Sequence, residues 1–207
     1  MDINSIAKII SRKLMRTRRI VRQRYFESFI FIHINKTGGS SIECALGIPL
    51  EHRTAKEKIA EIGLYYWKKK YTFTVVRNPW DKVVSHYYYR WERDETGLKT
   101  DGIEFNEWVK LTYGKQDPQY FNYPKMFQPQ MRWIADDRDQ ILVDSVFRFE
   151  NLEDDFNMVS QRLGISASLP HLKASDRNHY REYYSDETRF IIEAWFRSDL
   201  DQFGYTY

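Results

Sequence analysis

The chain has 207 residues, 42% hydrophobic and 29% charged, which is enough to bury the core of one domain and excludes a disordered segment. Its single cysteine, Cys44, excludes an intramolecular disulfide and a cysteine-rich metal site, and fits a reducing compartment. The net charge of +3 hides an uneven split: residues 1–24 hold eight of the 32 basic residues and one of the 29 acids, so the arm carries +7 and the remainder, with 24 bases against 28 acids, carries −4.

Residues 1–24 thus read as a basic N-terminal arm and residues 25–207 as one domain. Within the arm Ile3, Ile6, Ile10 and Leu14 recur at helical spacing. Two uses of such a helix stand open: peripheral contact with an anionic membrane or polyanion, and packing on its own domain. No stretch approaches the length of a transmembrane helix and the N-terminus lacks the apolar core of a signal peptide, so the expected setting is cytoplasmic.

FIFIHIN (29–35) is apolar on both faces of an extended chain and reads as a buried strand. KTGGSS follows, and residues 40–46 read as a helix stopped by Gly47 and Pro49, with Cys44 as a small buried side chain on it. Thr54 is placed to cap a helix over 55–62 that Gly63 ends. YTFTVV (71–76) is a second strand, and Asn78 with Pro79 opens a helix reaching Tyr89 or beyond. Residues 104–113 and 124–134 read as helices around an aromatic and polar loop. ILVDSVFRFE (141–150) supplies one broken or two short strands. Asn151 then caps a helix with Leu152, Phe156, Val159 and Leu163 on one face and Gly164 as its stop. Ser185 starts a C-terminal helix with Phe190, Ile191 and Trp195 inward. Strands alternating with helices predict a single α/β domain, a mostly parallel sheet covered on both faces, with ligands beyond the carboxyl ends of the strands.

That placement gives the turn at 36–41 a chemical meaning. A loop leaving a buried strand for a helix presents unpaired backbone N–H groups at the helix's positive end. Gly38 and Gly39 let a ligand approach the backbone, Lys36 adds a full positive charge, and Thr37, Ser40 and Ser41 add hydroxyl donors. The expected ligand is a phosphate-like anion. An ATP-type loop carries its lysine after the last glycine, whereas here Lys36 precedes Gly38 and Gly39. Asp144 after ILV is a weak substitute for the magnesium-binding aspartate of such enzymes, so the pattern speaks against a magnesium-nucleotide hydrolase. In VVRNPWDKVVSHYYY (75–89), Arg77 ends a strand and Ser85 lies eight residues on in the next helix, where a guanidinium fork and a hydroxyl can converge on a second anion. Two anion sites at two strand ends imply a ligand with phosphates at both ends.

HINKTGGSS followed by RNPWDKVVSHY resembles the two cofactor motifs of PAPS-dependent sulfotransferases, nearest the carbohydrate branch with the heparan sulfate 6-O-sulfotransferases and small bacterial enzymes. FRFENLEDDF, LGI and YYSDETRFIIEAWFRSDLDQFGYTY extend the likeness over about residues 29–207. The resemblance implies a P-loop-like parallel β-sheet flanked by helices, and direct sulfuryl transfer from PAPS (3′-phosphoadenosine 5′-phosphosulfate) to an acceptor hydroxyl, with PAP released and no metal required. It places the 5′ end of PAPS on Lys36, Thr37, Gly38, Gly39, Ser40 and Ser41, and the 3′-phosphate on Arg77 and Ser85. It also makes His33, at the family's motif position, the base, with Lys36 steadying the leaving group. The acceptor it implies is a carbohydrate hydroxyl.

Other candidates are weaker. Ser85 and His86 are adjacent on a helix and point about 100° apart, so one of the two is expected to face the cofactor. His52, His171 and His179 show no metal-ligand spacing. Glu150, Asp154 and Asp155 read as charges favouring a helix N-terminus. Arg177 and Arg181 lie where cofactor or an anionic acceptor could be touched, and the region of Lys173 carries no assigned role. The 112–133 loop has the rings and amides that stack on sugars, or that edge a core. Two other functions remain open: a magnesium- and ATP-dependent kinase or phosphotransferase, and a non-catalytic polyanion- or membrane-binding module. Nucleic acid is not expected as a partner, because the body is net acidic despite YYYRW at 87–91.

Overall fold

The computed structural model describes residues 3–170 and 177–207, without the side chains of residues 3–9 and 12. His171 and Lys173 therefore lie outside the described residues. The chain runs through α1 (Ile3–Tyr25), β1 (Phe29–Ile32), α2 (Gly39–Leu46), α3 (Ala55–Ile62), α4 (Leu64–Trp67), β2 (Tyr71–Val76) and α5 (Pro79–Glu92). Short helices α6 (Phe105–Val109), α7 (Pro124–Phe127) and α8 (Met131–Ile134) lead to β3 (Ser145–Arg148), and α9 (Leu152–Leu163), α10 (Asp186–Trp195) and α11 (Arg197–Phe203) follow.

Among the described residues the strands form one parallel sheet in the order β1-β2-β3, with Phe29 opposite Tyr71 and Phe73 opposite Ser145. Successive side chains of a strand point to opposite faces, so the uninterrupted apolar runs feed two cores. Ile30, Ile32 and Val76 join Trp80, Trp108, Trp133, Ile192 and Phe196 on one face. Phe31, Phe73 and Val75 meet Ile42 of α2 and Phe156 and Val159 of α9 on the other. The sheet is thereby covered on both sides, as the alternation of elements predicts.

The capping chemistry fixes several boundaries. Thr54 accepts from the Glu57 amide while Glu57 accepts from the Thr54 amide, so α3 starts with a reciprocal box. Ser185 and Thr188 do the same for α10, and Asn78 accepts from Trp80 N ahead of Pro79 in α5. Gly47 and Gly164 end α2 and α9 in the left-handed conformation.

Elsewhere the chain departs from the sequence reading. β1 ends at Ile32: His33, Ile34 and Asn35 stay buried but leave the ladder, and Thr37 Oγ1 donates to Ile34 O to close the turn. Residues 104–113 split into α6 and a wider turn, Lys110–Gly114, closed by Lys115 N donating to Lys110 O. The helix expected over 124–134 breaks at extended Gln128, before Pro129, into α7 and α8. In the tail Ile191 and Trp195 pack against the core as expected, but Phe190 is 55% exposed and Ile192 and Phe196 take the fully buried positions, so the inward face is rotated away from Phe190. Cys44 is exposed, because α2 turns Ile42 and Glu43 inward instead.

Candidate active site

The carboxyl ends of β1 and β2 open onto a cavity of about 780 Å³, within the range that holds a cofactor-sized ligand. His33, Lys36, Gly38, Gly39, Ser40, Ser41, Arg77 and Ser85 all line it. Thr37 does not: its side chain is fully buried and its hydroxyl is spent on Ile34 O, which corrects its reading as a hydroxyl donor to a ligand.

The turn is built for close approach. Gly38 is left-handed (φ 80°), and a methyl there would stand 2.6 Å from Leu152 Cδ2 and 3.2 Å from the Phe149 ring. A methyl on Gly39 would stand 2.0 Å from His33 Cδ2. Lys36 also has a positive φ of 67°, a costly conformation for a residue with a Cβ. Its carbonyl is held by Arg77 Nη1 at 3.0 Å, and its ammonium lies 4.3 Å from the centre of the Tyr89 ring. The loop is thus tied down from the second strand.

Arg77 is buried, its guanidinium stacked 3.8 Å over the Phe149 ring. Nε and Nη2 both donate to Asp81 Oδ2 at 2.7 Å, and Arg177 grips the other oxygen of the same carboxylate. The fork expected to face an anion therefore already holds Asp81, and what remains toward a ligand is the balance of its N–H groups. Burial lowers the Arg77 pKa against the pull of Asp81. Burial also works to raise the Asp81 pKa, but Arg77 and Arg177 outweigh it and keep it below the usual carboxylate range. Arg181 donates instead to Tyr207 O, away from the loop.

Ser85 and His86 both line the cavity, against the expectation that one of the pair would turn away. His86 is fully buried beside Phe127, its pKa lowered well below the ordinary value by burial and then by the charges of Lys82, Arg90 and Lys36. Glu150 lines the cavity wall, accepting from Asn78 N and from the Tyr205 hydroxyl, and Asp155 accepts from Arg148 N. Asp144 takes its bonds from Thr72 N and Oγ1 at the amino ends of β2 and β3, across the sheet from the loop. Among the described residues no group of three or more His, Cys, Asp or Glu is placed to hold a metal.

Two imidazoles meet at the cavity wall. His33 and His52 have ring centres 4.3 Å apart, and His52 Nδ1 lies 3.1 Å from His33 O. A carbonyl only accepts, so His52 carries its proton on Nδ1 and leaves Nε2 as an acceptor. Burial, and then the neighbouring His33, lower the His52 pKa. Nδ1 of His33 lies 2.9 Å from Glu43 Oε1, off the line of a well-formed hydrogen bond. Glu43, Tyr89 and Phe149 escape motif reading. The available signal for Glu43 is an acid on the buried face of the otherwise apolar α2, and for Tyr89 its place one helical turn beyond Ser85.

The site thus combines a parallel α/β sheet, a strand–glycine turn–helix cradle, a second cation at the next strand end and a cofactor-sized cavity between them. The sequence matches the sulfotransferase family over residues 18–206, and the chain belongs to that family. Membership implies a transferase. An uncharacterized protein of Archaeoglobus fulgidus is 31% identical over 97 residues, which span 47% of this chain and 70% of that protein. No solved structure matches the chain.

Proposed function

We propose that the chain transfers a sulfuryl group from PAPS to an acceptor hydroxyl of carbohydrate type and releases PAP. One observation carries the reading: the glycine turn, through Lys36, Gly38, Gly39, Ser40 and Ser41, and the Arg77–Ser85 site open into the same cavity of about 780 Å³. The fit to PAPS rests on that volume, on a glycine turn that a single methyl would fill, and on the donors Lys36, Ser40, Ser41, Arg77 and Ser85 in a lining that also holds Glu95, Glu150, Glu153 and Asp154. When bound, PAPS supplies the activated sulfuryl group on a phosphate leaving group. Lys36 and the amides at the start of α2 would hold the 5′ end, and Ser85 with the remaining N–H groups of Arg77 the 3′-phosphate.

His33 is assigned as the base. Glu43 beside Nδ1 favours a proton there, which leaves Nε2 to accept one from the acceptor hydroxyl. His52 is a second candidate, because its bond to the His33 carbonyl leaves its own Nε2 a lone pair. A kinase reading is disfavoured by the place of Asp144 at the far end of the sheet.

Calorimetric titration with PAP, AMP and magnesium-ATP tests the assignment. PAP should bind at least about tenfold tighter than AMP, one extra phosphate being worth a charge-assisted contact. Tighter binding of magnesium-ATP, or no binding of PAP, would overturn it. His33→Ala should cut turnover on the order of a hundredfold with PAP affinity unchanged; if His52→Ala does so and His33→Ala does not, the base is His52.

A further inference from the structure

We propose that the outward face of α1 docks the protein onto an anionic lipid bilayer. A helix on a water-soluble protein ordinarily buries its apolar stripe and turns its charges to solvent. In α1 the arrangement is reversed. Arg16 pairs with Glu61, Arg19 with Glu51, Arg24 donates to the Ile62 and Glu61 carbonyls, and Gln23 accepts from buried Lys58. These four positions fall within an arc of roughly 140° on a helical wheel, and that arc faces α3 and the loop before it.

On a separate arc, centred roughly 130° further round the wheel, lie Ile10, Leu14 and Val21, within roughly 40° of one another. They are 52%, 59% and 43% exposed. Among the described residues nothing buries them. The stripe leads to Tyr25, 61% exposed, whose hydroxyl meets that of Tyr66 beside exposed Tyr65. Rings at the end of an apolar stripe suit the boundary between headgroups and acyl chains.

Charge decides between the possible occupants. Exposed Lys13 and Arg18 flank the stripe, and residues 1–24 carry +7. A second copy would bring two such helices face to face, whereas phosphate headgroups complement them. Glu61 and Glu51 neutralise Arg16 and Arg19 on the inner side and Glu27 pairs with Arg22, so the positive sign beside the stripe comes from exposed Lys13 and Arg18. No helix among the described residues is long and apolar enough to cross a membrane, so the helix would lie in the interface. The inference is independent of the sulfotransferase reading.

The test is co-sedimentation of the full chain with phosphatidylcholine vesicles, with and without about 30 mol % phosphatidylglycerol. The chain should pellet with the anionic vesicles only, and less so as salt screens the charges. Ile10→Gln/Leu14→Gln/Val21→Gln and, separately, Lys13→Glu/Arg18→Glu should each lower partitioning about tenfold, with thermal unfolding unchanged because all five side chains are exposed. The proposal is overturned if the parent chain binds neither vesicle or if the triple variant binds as the parent does. It is equally overturned if sedimentation equilibrium shows a dimer that the triple variant dissolves while vesicles capture nothing.

Discussion

A methyl group on Gly39 would lie 2.0 Å from Cδ2 and 2.3 Å from Nε2 of His33, both inside van der Waals contact, so the imidazole has to move. Gly39→Ala should therefore displace the proposed base and lower turnover about a hundredfold, the usual cost of moving a reacting group by an ångström. Gly47 offers the contrast. It is left-handed (φ 61°) with nothing within 4 Å of the added carbon, so Gly47→Ala should cost about 1 kcal/mol of stability from backbone strain and leave turnover intact. Steady-state kinetics beside thermal melts separate the two; equal turnover loss in both would mean that Gly39 matters only as a flexible residue. At this scale the residue types at 36–41 were readable because a glycine turn between strand and helix has a local chemical signature. The commitment of the Arg77 fork to Asp81 was harder to read: the two lie four residues apart across a strand–helix junction whose angle no local pattern states. His52 sits in a coil placed by the packing of α3 on α8, and nothing near it in sequence marks the cavity.

Helix starts divide into those held by a side chain and those held by packing. Thr54 and Glu57 exchange hydrogen bonds at the head of α3, and Glu57 also meets Lys125. Asn151, at the corresponding position of α9, makes no capping hydrogen bond, and that helix is held instead by Phe156 and Val159 in the core. Thr54→Ala should cost about 1 kcal/mol and Asn151→Ala only a few tenths, both read from urea unfolding. A cost for Asn151→Ala equal to that of Thr54→Ala would restore the cap that the sequence suggests. The same contrast explains which elements were legible. Caps, glycine stops and the runs of β1 and β2 are local signals, and they place α2, α3, β2, α5 and α9 closely. The rotation of α10, with Ile192 rather than Phe190 inward, is settled by contact with Trp80 and its neighbours on the first core face, which local periodicity does not contain.

Across the whole molecule, buried Arg77, Lys82, His86, Gln130 and Asp199 cluster near the cavity, and their protonation couples the site to folding. Lys82 is fully buried, its pKa pushed down to about 8 by burial despite Asp199. Asp199 accepts from the amides of Gln130 and Met131, and Gln130 in turn bonds the backbone of Arg77 on both sides. His86 lies among these cations and is held neutral. Its folded pKa is depressed below the ordinary value of 6.5, as is that of His52. In the pH range between the folded and unfolded pKa values the unfolded chain binds more protons, so stability rises with pH there. The contribution is complete above about pH 6.5 and is lost as pH falls below it, at up to about 1.4 kcal/mol per pH unit for His86. Acid loss through Asp81, whose pKa is also depressed, belongs to a separate window below 3.8. The melting temperature should thus fall by about 3 °C between pH 6.5 and 5.5. His86→Phe, which keeps a ring against Phe127 and removes the titrating group, should flatten most of that slope while His52→Gln removes the smaller remainder. Melts of the parent and both variants across that interval decide it. An unchanged slope in His86→Phe would mean that His86 is protonated within the fold, with Nδ1, which has no hydrogen-bond partner among the described residues, bonded to water.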